Sequence, residues 1–222
     1  MSQKQRAYDY LKNAIISSAI PAGSPVREMD VAETLSMSRT PIREAMRELE
    51  TEGVLTSYPS RGTFVTALTP SDVEEIYELR LLHELWAIER SINRITVEEL
   101  DFIERKFNEA FQLKDWDIWL QADKLLHRLI VEKSGSKKLL AFVNMLNTQI
   151  ERIRKTSTVR DASDIERSSK EHMEIITLIR QRNLPKCREA LRNHLITGMG
   201  IAIETSRLVH IDLEGAIAAS GG

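Results

Sequence analysis

Proline sets the strongest constraint on this chain. It lacks a backbone donor and breaks helix interiors. Five of its six prolines, Pro21, Pro25, Pro41, Pro59 and Pro70, fall in the first 70 residues, and none occurs between Pro70 and Pro185. The long proline-free stretch suits helices with short joints. The first 70 residues, which also hold Gly23, Gly53 and Gly62, suit short elements. Two parts follow, with a boundary near Thr66–Thr69.

Helical spacing of Ala7, Leu11, Ala14, Ile15 and Ser18 predicts an amphipathic helix from Gln3 to Ser18. PAGSP at 21–25 breaks it. Val26–Leu35 and Arg39–Glu52 read as two short helices around the turn Ser36-Met37-Ser38, the second stopped by Gly53. VLTSY at 54–58 and TFVT at 63–66 read as strands of a hairpin joined by Pro59-Ser60-Arg61-Gly62. Beyond Pro70, six helices are expected, at about 70–93, 97–114, 117–133, 136–157, 162–182 and 185–209. Thr69-Pro70 opens the first, Thr96-x-x-Glu99 is a capping box for the second, and Pro185 opens the sixth. The fold class is therefore mainly α: a winged helix-turn-helix at 1–69 and an all-α six-helix bundle at 70–211. The tail at 212–222, which ends in the small, uncharged GAIAASGG, is expected to be disordered.

Thirty-one Lys and Arg against 33 Asp and Glu leave a net charge of −2, so no global positive charge advertises nucleic acid. A lone cysteine, Cys187, excludes an intramolecular disulfide and a cysteine-rich zinc site, and reads as a packing residue. No apolar run is long enough to span a bilayer, and MSQKQRAYDY lacks a signal-peptide core. A cytoplasmic protein with no membrane partner is the expectation.

The helix at 39–52 carries two stripes. Ile42, Ala45, Met46 and Leu49 form a narrow apolar face, while Arg39, Arg43 and Arg47 recur every four residues beside it. Ser38 stands where it can cap the helix. Such a helix can present arginines to guanine edges in the major groove. The stripe can equally be a solvated face, with Glu44 and Glu48 pairing the arginines at helical spacing. Residues 1–68 hold eight Lys/Arg and eight Asp/Glu, so charge does not decide between the two.

Pro21-x-Gly23, SMSRTPIREAMRELETEGVL at 36–55 and SRGTFV at 60–65 resemble the GntR family of bacterial transcription regulators. The specific string is Ser38-Arg39-Thr40-Pro41-x-Arg43-Glu44-Ala45 followed by Leu49-Glu50-x-x-Gly53. The resemblance implies that Arg39, Thr40 and Arg43 contact DNA, with Arg47 on the same stripe, and that the wing tip at Arg61-Gly62 reaches the minor groove or its phosphates. Met37 and Met29 depart from the usual pattern, and Met29 removes one expected phosphate contact.

Four of the five histidines, His83, His127, His172 and His194, lie in the helical half; the fifth is His210. Asp123 and His127 share a helix face one turn apart, and His172 and His194 lie on two further helices. Inward-facing groups on three helices can meet at one metal in a bundle. Three imidazoles and a carboxylate suit one divalent transition metal: Zn²⁺ first, or Ni²⁺, Mn²⁺ or Fe²⁺. The plain alternative is a set of hydrogen-bonded core histidines in apolar surroundings.

The helical half resembles the FCD ligand domain of the FadR subfamily, in its shorter, VanR-like branch. The matching residues are Leu79-Arg80-x-x-x-Glu84, Asp123-x-x-x-His127, Glu171-His172 and Ala190-x-x-x-His194. Ser136 departs from the asparagine common at its position. The resemblance implies that Asp123, His127, His172 and His194 are metal ligands and that Arg80 lies near an effector pocket, with His83 a neighbour. Arg80 can meet a second charge of a small organic acid or simply pair with Glu84. The function expected is a metabolite-responsive regulator that binds operator DNA as a homodimer, with a carboxylate effector at the metal. Two alternatives remain: a metal-dependent hydrolase-type enzyme, for which no general-base motif is found, and a regulator whose metal is structural only.

Overall fold

The computed structural model describes residues 1–156 and 162–220, with side chains described for 1–155 and 166–207. His210 therefore lies outside the described side chains, and 221–222 outside the described residues. Contacts divide the chain into two units, Met1–Thr69 with Val143–Thr156, and Pro70–Phe142 with Ser157–Gly222.

The first unit is a winged helix-turn-helix. Helices α1 (Gln3–Ile16), α2 (Glu28–Leu35) and α3 (Arg39–Thr51) bury one apolar face each. Leu11, Val31, Ile42, Met46 and Leu49 meet in a common core with Val54 and Val65. Ser36, at φ 51°, ends α2 in a left-handed turn. Ser38 stands at the N-cap of α3, but its side chain makes no capping bond, contrary to expectation. The usual cap acceptor takes the N–H two or three residues on, and the third residue here is Pro41, which has none. Gly53, at φ 68°, turns the chain out of α3. An added Cβ there would also lie 2.7 Å from Gln149 Nε2.

Strands β2 (Leu55–Tyr58) and β3 (Gly62–Val65) form the expected antiparallel hairpin, Leu55 facing Val65 and Tyr58 facing Gly62. A third strand, β1 (Pro25–Val26), pairs with the other edge of β3, giving the order β1-β3-β2. The sequence pattern marks this segment only as a helix breaker and a helix start.

Helices α4 (Pro70–Ser91), α5 (Val97–Leu113), α6 (Trp116–Lys133), α7 (Lys137–Thr156), α8 (Ala162–Arg180) and α9 (Leu184–Ser220) follow. The capping box opens α5: Thr96 Oγ1 accepts from the Glu99 N–H at 3.3 Å, and Glu99 Oε2 accepts from the Thr96 N–H at 3.0 Å. α4 packs on α6 and α9, α5 on α6 and α8, and α8 on α9.

Two stretches differ from expectation. Helix α9 runs on to Ser220, through 212–220, where a disordered tail was expected. The alanine-rich residues that suggested disorder are also good helix formers, and no proline stops them. The C-terminal part of α7, expected to belong with the bundle, packs within the winged unit. Thr148 Oγ1 donates to Glu52 Oε2 at 2.8 Å, Gln149 Nε2 to the Glu52 carbonyl at 2.6 Å, and Arg152 Nη2 to the Thr66 carbonyl at 2.6 Å. Tyr8 Oη donates to the second Glu52 oxygen at 2.7 Å. No described helix is long and apolar enough to cross a membrane.

Candidate metal centre and nucleic-acid interface

The interior of the second unit holds an unusual set of polar groups. Arg80, His83 and Glu84 of α4, Asp123 and His127 of α6, His172 of α8 and His194 of α9 are all buried. Four of them, Asp123, His127, His172 and His194, bring one potential ligand atom each within 4.8 Å of the others. These are the four residues the sequence put forward as metal ligands.

The donor atoms face one another. His172 Nε2 lies 3.0 Å and His127 Nε2 3.3 Å from Asp123 Oδ1, and His127 Nε2 lies 3.2 Å from His194 Nε2. The opposite nitrogen of each ring has its own acceptor. His127 Nδ1 meets Glu84 in a short contact, His172 Nδ1 lies 2.7 Å from the Ser168 carbonyl, and His194 Nδ1 lies 2.8 Å from Glu171 Oε2. A carbonyl or carboxylate partner calls for an N–H at Nδ1, which in a neutral imidazole leaves the lone pair on Nε2. With that tautomer on all three rings, three lone pairs and a carboxylate oxygen would converge, as a metal requires.

This donor set fits a divalent transition ion. Two ligands about 2.1 Å from one ion lie about 3.0 Å apart at right angles and about 3.4 Å apart in a tetrahedron, which brackets the spacings above. The outer carboxylates and carbonyl orient the rings as second partners of metal-bound histidines do. Aromatic walls fix His172, whose ring stacks on Phe107 at 4.7 Å and meets Trp119 edge-on at 5.3 Å.

Burial opposes charge on every imidazole here. It holds His172 below the ordinary histidine value, and His194 well below it with help from the neighbouring histidines. His127 differs: burial works against its charge, but Glu84 and Asp123 outweigh that and raise its pKa. Burial also works to raise Glu84, and His127 with Arg80 holds it far down as a carboxylate.

Arg80 Nε donates to Glu84 Oε1 at 3.1 Å, so the simple ion pair is present. Its Nη2 and both ring nitrogens of His83 are buried with no hydrogen-bond partner among the described residues. Burial pushes His83 down to about 4, and its ring lies edge-on to Phe142 at 6.4 Å. The sequence offers Glu84 only as a partner for Arg80, and does not point to Glu84, Glu171 or Ser168 as partners of the histidines. Glu171 adjoins His172 in sequence, and a carboxylate beside a candidate ligand was the available signal; a backbone carbonyl leaves none.

On the first unit, Arg39, Thr40, Arg43 and Arg47 all lie exposed on α3, and Arg61 and Gly62 are exposed at the wing tip. Arg61 lies over the Tyr58 ring at 6.0 Å, and Tyr58 meets Phe64 edge-on at 5.8 Å. The carboxylate that engages Arg39 and Arg43 is Glu28 of α2, not Glu44 or Glu48. Glu48 instead pairs with Lys4 at 2.7 Å.

The chain is thus a winged helix-turn-helix followed by a helical unit with a buried His/Asp cluster. Residues 3–65 match the bacterial regulatory proteins of the gntR family, and residues 75–197 match the FCD domain. The chain belongs to the GntR family and carries an FCD domain. It is 30% identical over 194 residues to the uncharacterized HTH-type transcriptional regulator YdhC of Bacillus subtilis, covering 85% of this chain and 84% of that protein. The structure of E. coli McbR/YncC superposes with a TM-score of 0.79 at 19% identity, over 92% of this chain and 98% of that one. The Zn²⁺-bound FCD domain of TM0439 gives 0.56 at 22% identity, over 62% of this chain and 96% of that one. Both structural likenesses concern the fold. The family is one of transcription regulators that bind DNA through the helix-turn-helix, and the hydrolase alternative is set aside.

Proposed function

We propose that this regulator binds operator DNA as a homodimer and responds to a small organic acid held at a divalent metal in its helical unit. Asp123, His127, His172 and His194 would hold the metal, zinc first among the candidates. The observation that carries the reading is the convergence of three Nε2 atoms and Asp123 Oδ1 while each Nδ1 is committed elsewhere. A metal there would supply Lewis acidity toward a carboxylate ligand. Arg80, with Nη2 buried and unpartnered, offers a charge-assisted donor to an acid's second carboxylate, and His83 offers two further polar atoms. In the first unit, Arg39, Thr40, Arg43 and Arg47 would meet the major groove, and Arg61-Gly62 the minor groove or its phosphates.

Elemental analysis of the purified protein and of His172→Ala and His194→Ala tests the metal. Full occupancy in both variants would remove these residues as ligands. Carboxylates screened by thermal shift, with and without chelator, test the effector. Hits that bind equally well after metal removal would contradict the metal-held pocket and favour a purely structural metal. Arg43→Ala tests the groove contact: operator affinity should fall by about 1–3 kcal/mol, concentrated at one base position.

A further inference from the structure

Arg39 and Arg43 stand one turn apart on α3, and like charges at that spacing repel. Both reach back to the same residue, Glu28 at the start of α2. Arg43 donates from Nε to Oε1 at 2.8 Å and from Nη2 to Oε2 at 2.9 Å. Arg39 donates from Nε at 3.3 Å and from Nη2 at 3.1 Å, both to Oε2. One carboxylate thus takes the same edge of two guanidinium groups.

A guanidinium has five N–H donors in a fixed plane. The edge made by Nε and one Nη2 hydrogen is occupied in both arginines. The other edge, Nη1 with the second Nη2 hydrogen, is the one that can grip guanine O6 and N7 as a pair. The arginine side chains remain 58% and 51% exposed while gripped, so their outer ends stay accessible. Exposed ion pairs add little to fold stability, so stability alone is a weak reason for converging two arginines on one acid. Residues 1–68 also carry as many acids as bases, so this unit has no surplus of charge to hold DNA loosely.

We infer that Glu28 is a positioning residue that sets base specificity: it fixes the planes of Arg39 and Arg43 before DNA arrives and disfavours their straying to phosphates. This rests on the reading that α3 enters the major groove. Pre-ordering a flexible donor lowers the cost of binding in one geometry, and a carboxylate beside the groove penalises loose approach to the anionic backbone. The two arginines hold Glu28 down to about 2, so it stays ionised at any working pH.

The test compares operator and unrelated duplex, each titrated across salt, with full-length Glu28→Gln, Glu28→Asp and Asp30→Asn. Glu28→Gln should weaken operator binding about tenfold. It should also leave or strengthen binding to unrelated duplex, with a salt slope steeper by about one charge. Glu28→Asp keeps the charge but shortens the reach, so specificity should fall with the salt slope unchanged. Asp30 lies in the same first turn of α2 and is exposed; Asp30→Asn removes a similar interaction with the helix dipole and should keep the wild-type ratio of affinities. The inference is overturned if both Glu28 variants keep that ratio, or if Asp30→Asn lowers it equally. Arg43→Ala separates the two levels of argument. If it leaves operator binding unchanged, the groove reading fails; if it weakens binding while the Glu28 variants do not, only the role of Glu28 fails.

Discussion

Two titratable groups outside the His/Asp cluster have definite chemistry. The Cys187 side chain has no accessible surface, and burial pushes its thiol up to about 12. Thiolate is the reactive form, so native protein at neutral pH should resist alkylation by iodoacetamide and react once denatured. Mass spectrometry of the two samples decides; rapid native labelling would contradict the burial. Glu28 shows the opposite displacement. Its hydrogen bonds with Arg43 outweigh burial and, with Arg39, lower it from the usual 4.5 to about 2. A lowered carboxylate contributes stability above its unfolded pKa, lost as pH falls through the folded one. The small stability gap between wild type and Glu28→Gln should therefore hold above about pH 4.5 and close toward pH 2, which thermal melts across pH can follow. Spacing made the arginine stripe legible, because it is local to one helix. Their partner Glu28 was not, because 11 and 15 residues separate it from Arg39 and Arg43 and a turn intervenes. The same holds for the four ligand candidates and their outer partners: resemblance supplied the four, and only the structure shows Glu84, Glu171 and the Ser168 carbonyl behind them.

Elements were legible wherever end signals and periodicity agreed. Thr96-x-x-Glu99 marked the start of α5, and both reciprocal bonds are present. Thr96→Ala removes the side-chain acceptor for the Glu99 N–H and should cost about 1 kcal/mol, read as a lower melting temperature with metal content unchanged. No loss would mean that water replaces the cap fully. Strand β1 escaped because two residues, one of them Pro25, give no alternation to read. Pro25 lies on the outer edge of a sheet ordered β1-β3-β2, where a missing donor is tolerated. The end of α9 escaped for another reason. Composition that suits a flexible tail also suits a helix, and local sequence does not separate them.

For the whole chain, two kinds of unit followed from proline placement, but the allocation of α7 did not. Its residues to Phe142 belong with the bundle unit, and those from Val143 to Thr156 with the winged unit. The apolar periodicity of α7 says that one face is buried without saying against what. Within the bundle unit, Phe142 lies against His83; within the winged unit, Arg152 holds the Thr66 carbonyl and Thr148 holds Glu52. Under the proposed function, a ligand that reaches His83 would lie beside Phe142, a residue of α7. Ligand can shift such a system only by its different affinity for the two arrangements, and a coupling of about 1–3 kcal/mol changes operator affinity roughly 5–150-fold. Arg152→Met keeps much of the side-chain bulk and removes the donor to Thr66, while Thr148→Val removes the donor to Glu52 at nearly constant volume. Both variants should retain metal and bind the carboxylates found by thermal shift. Both should show a smaller change in operator affinity when those carboxylates are added, by several-fold where the wild-type change is large. Operator titrations with and without the acid, alongside elemental analysis, provide the comparison. An undiminished response in both variants would mean that the signal does not pass through these α7 contacts.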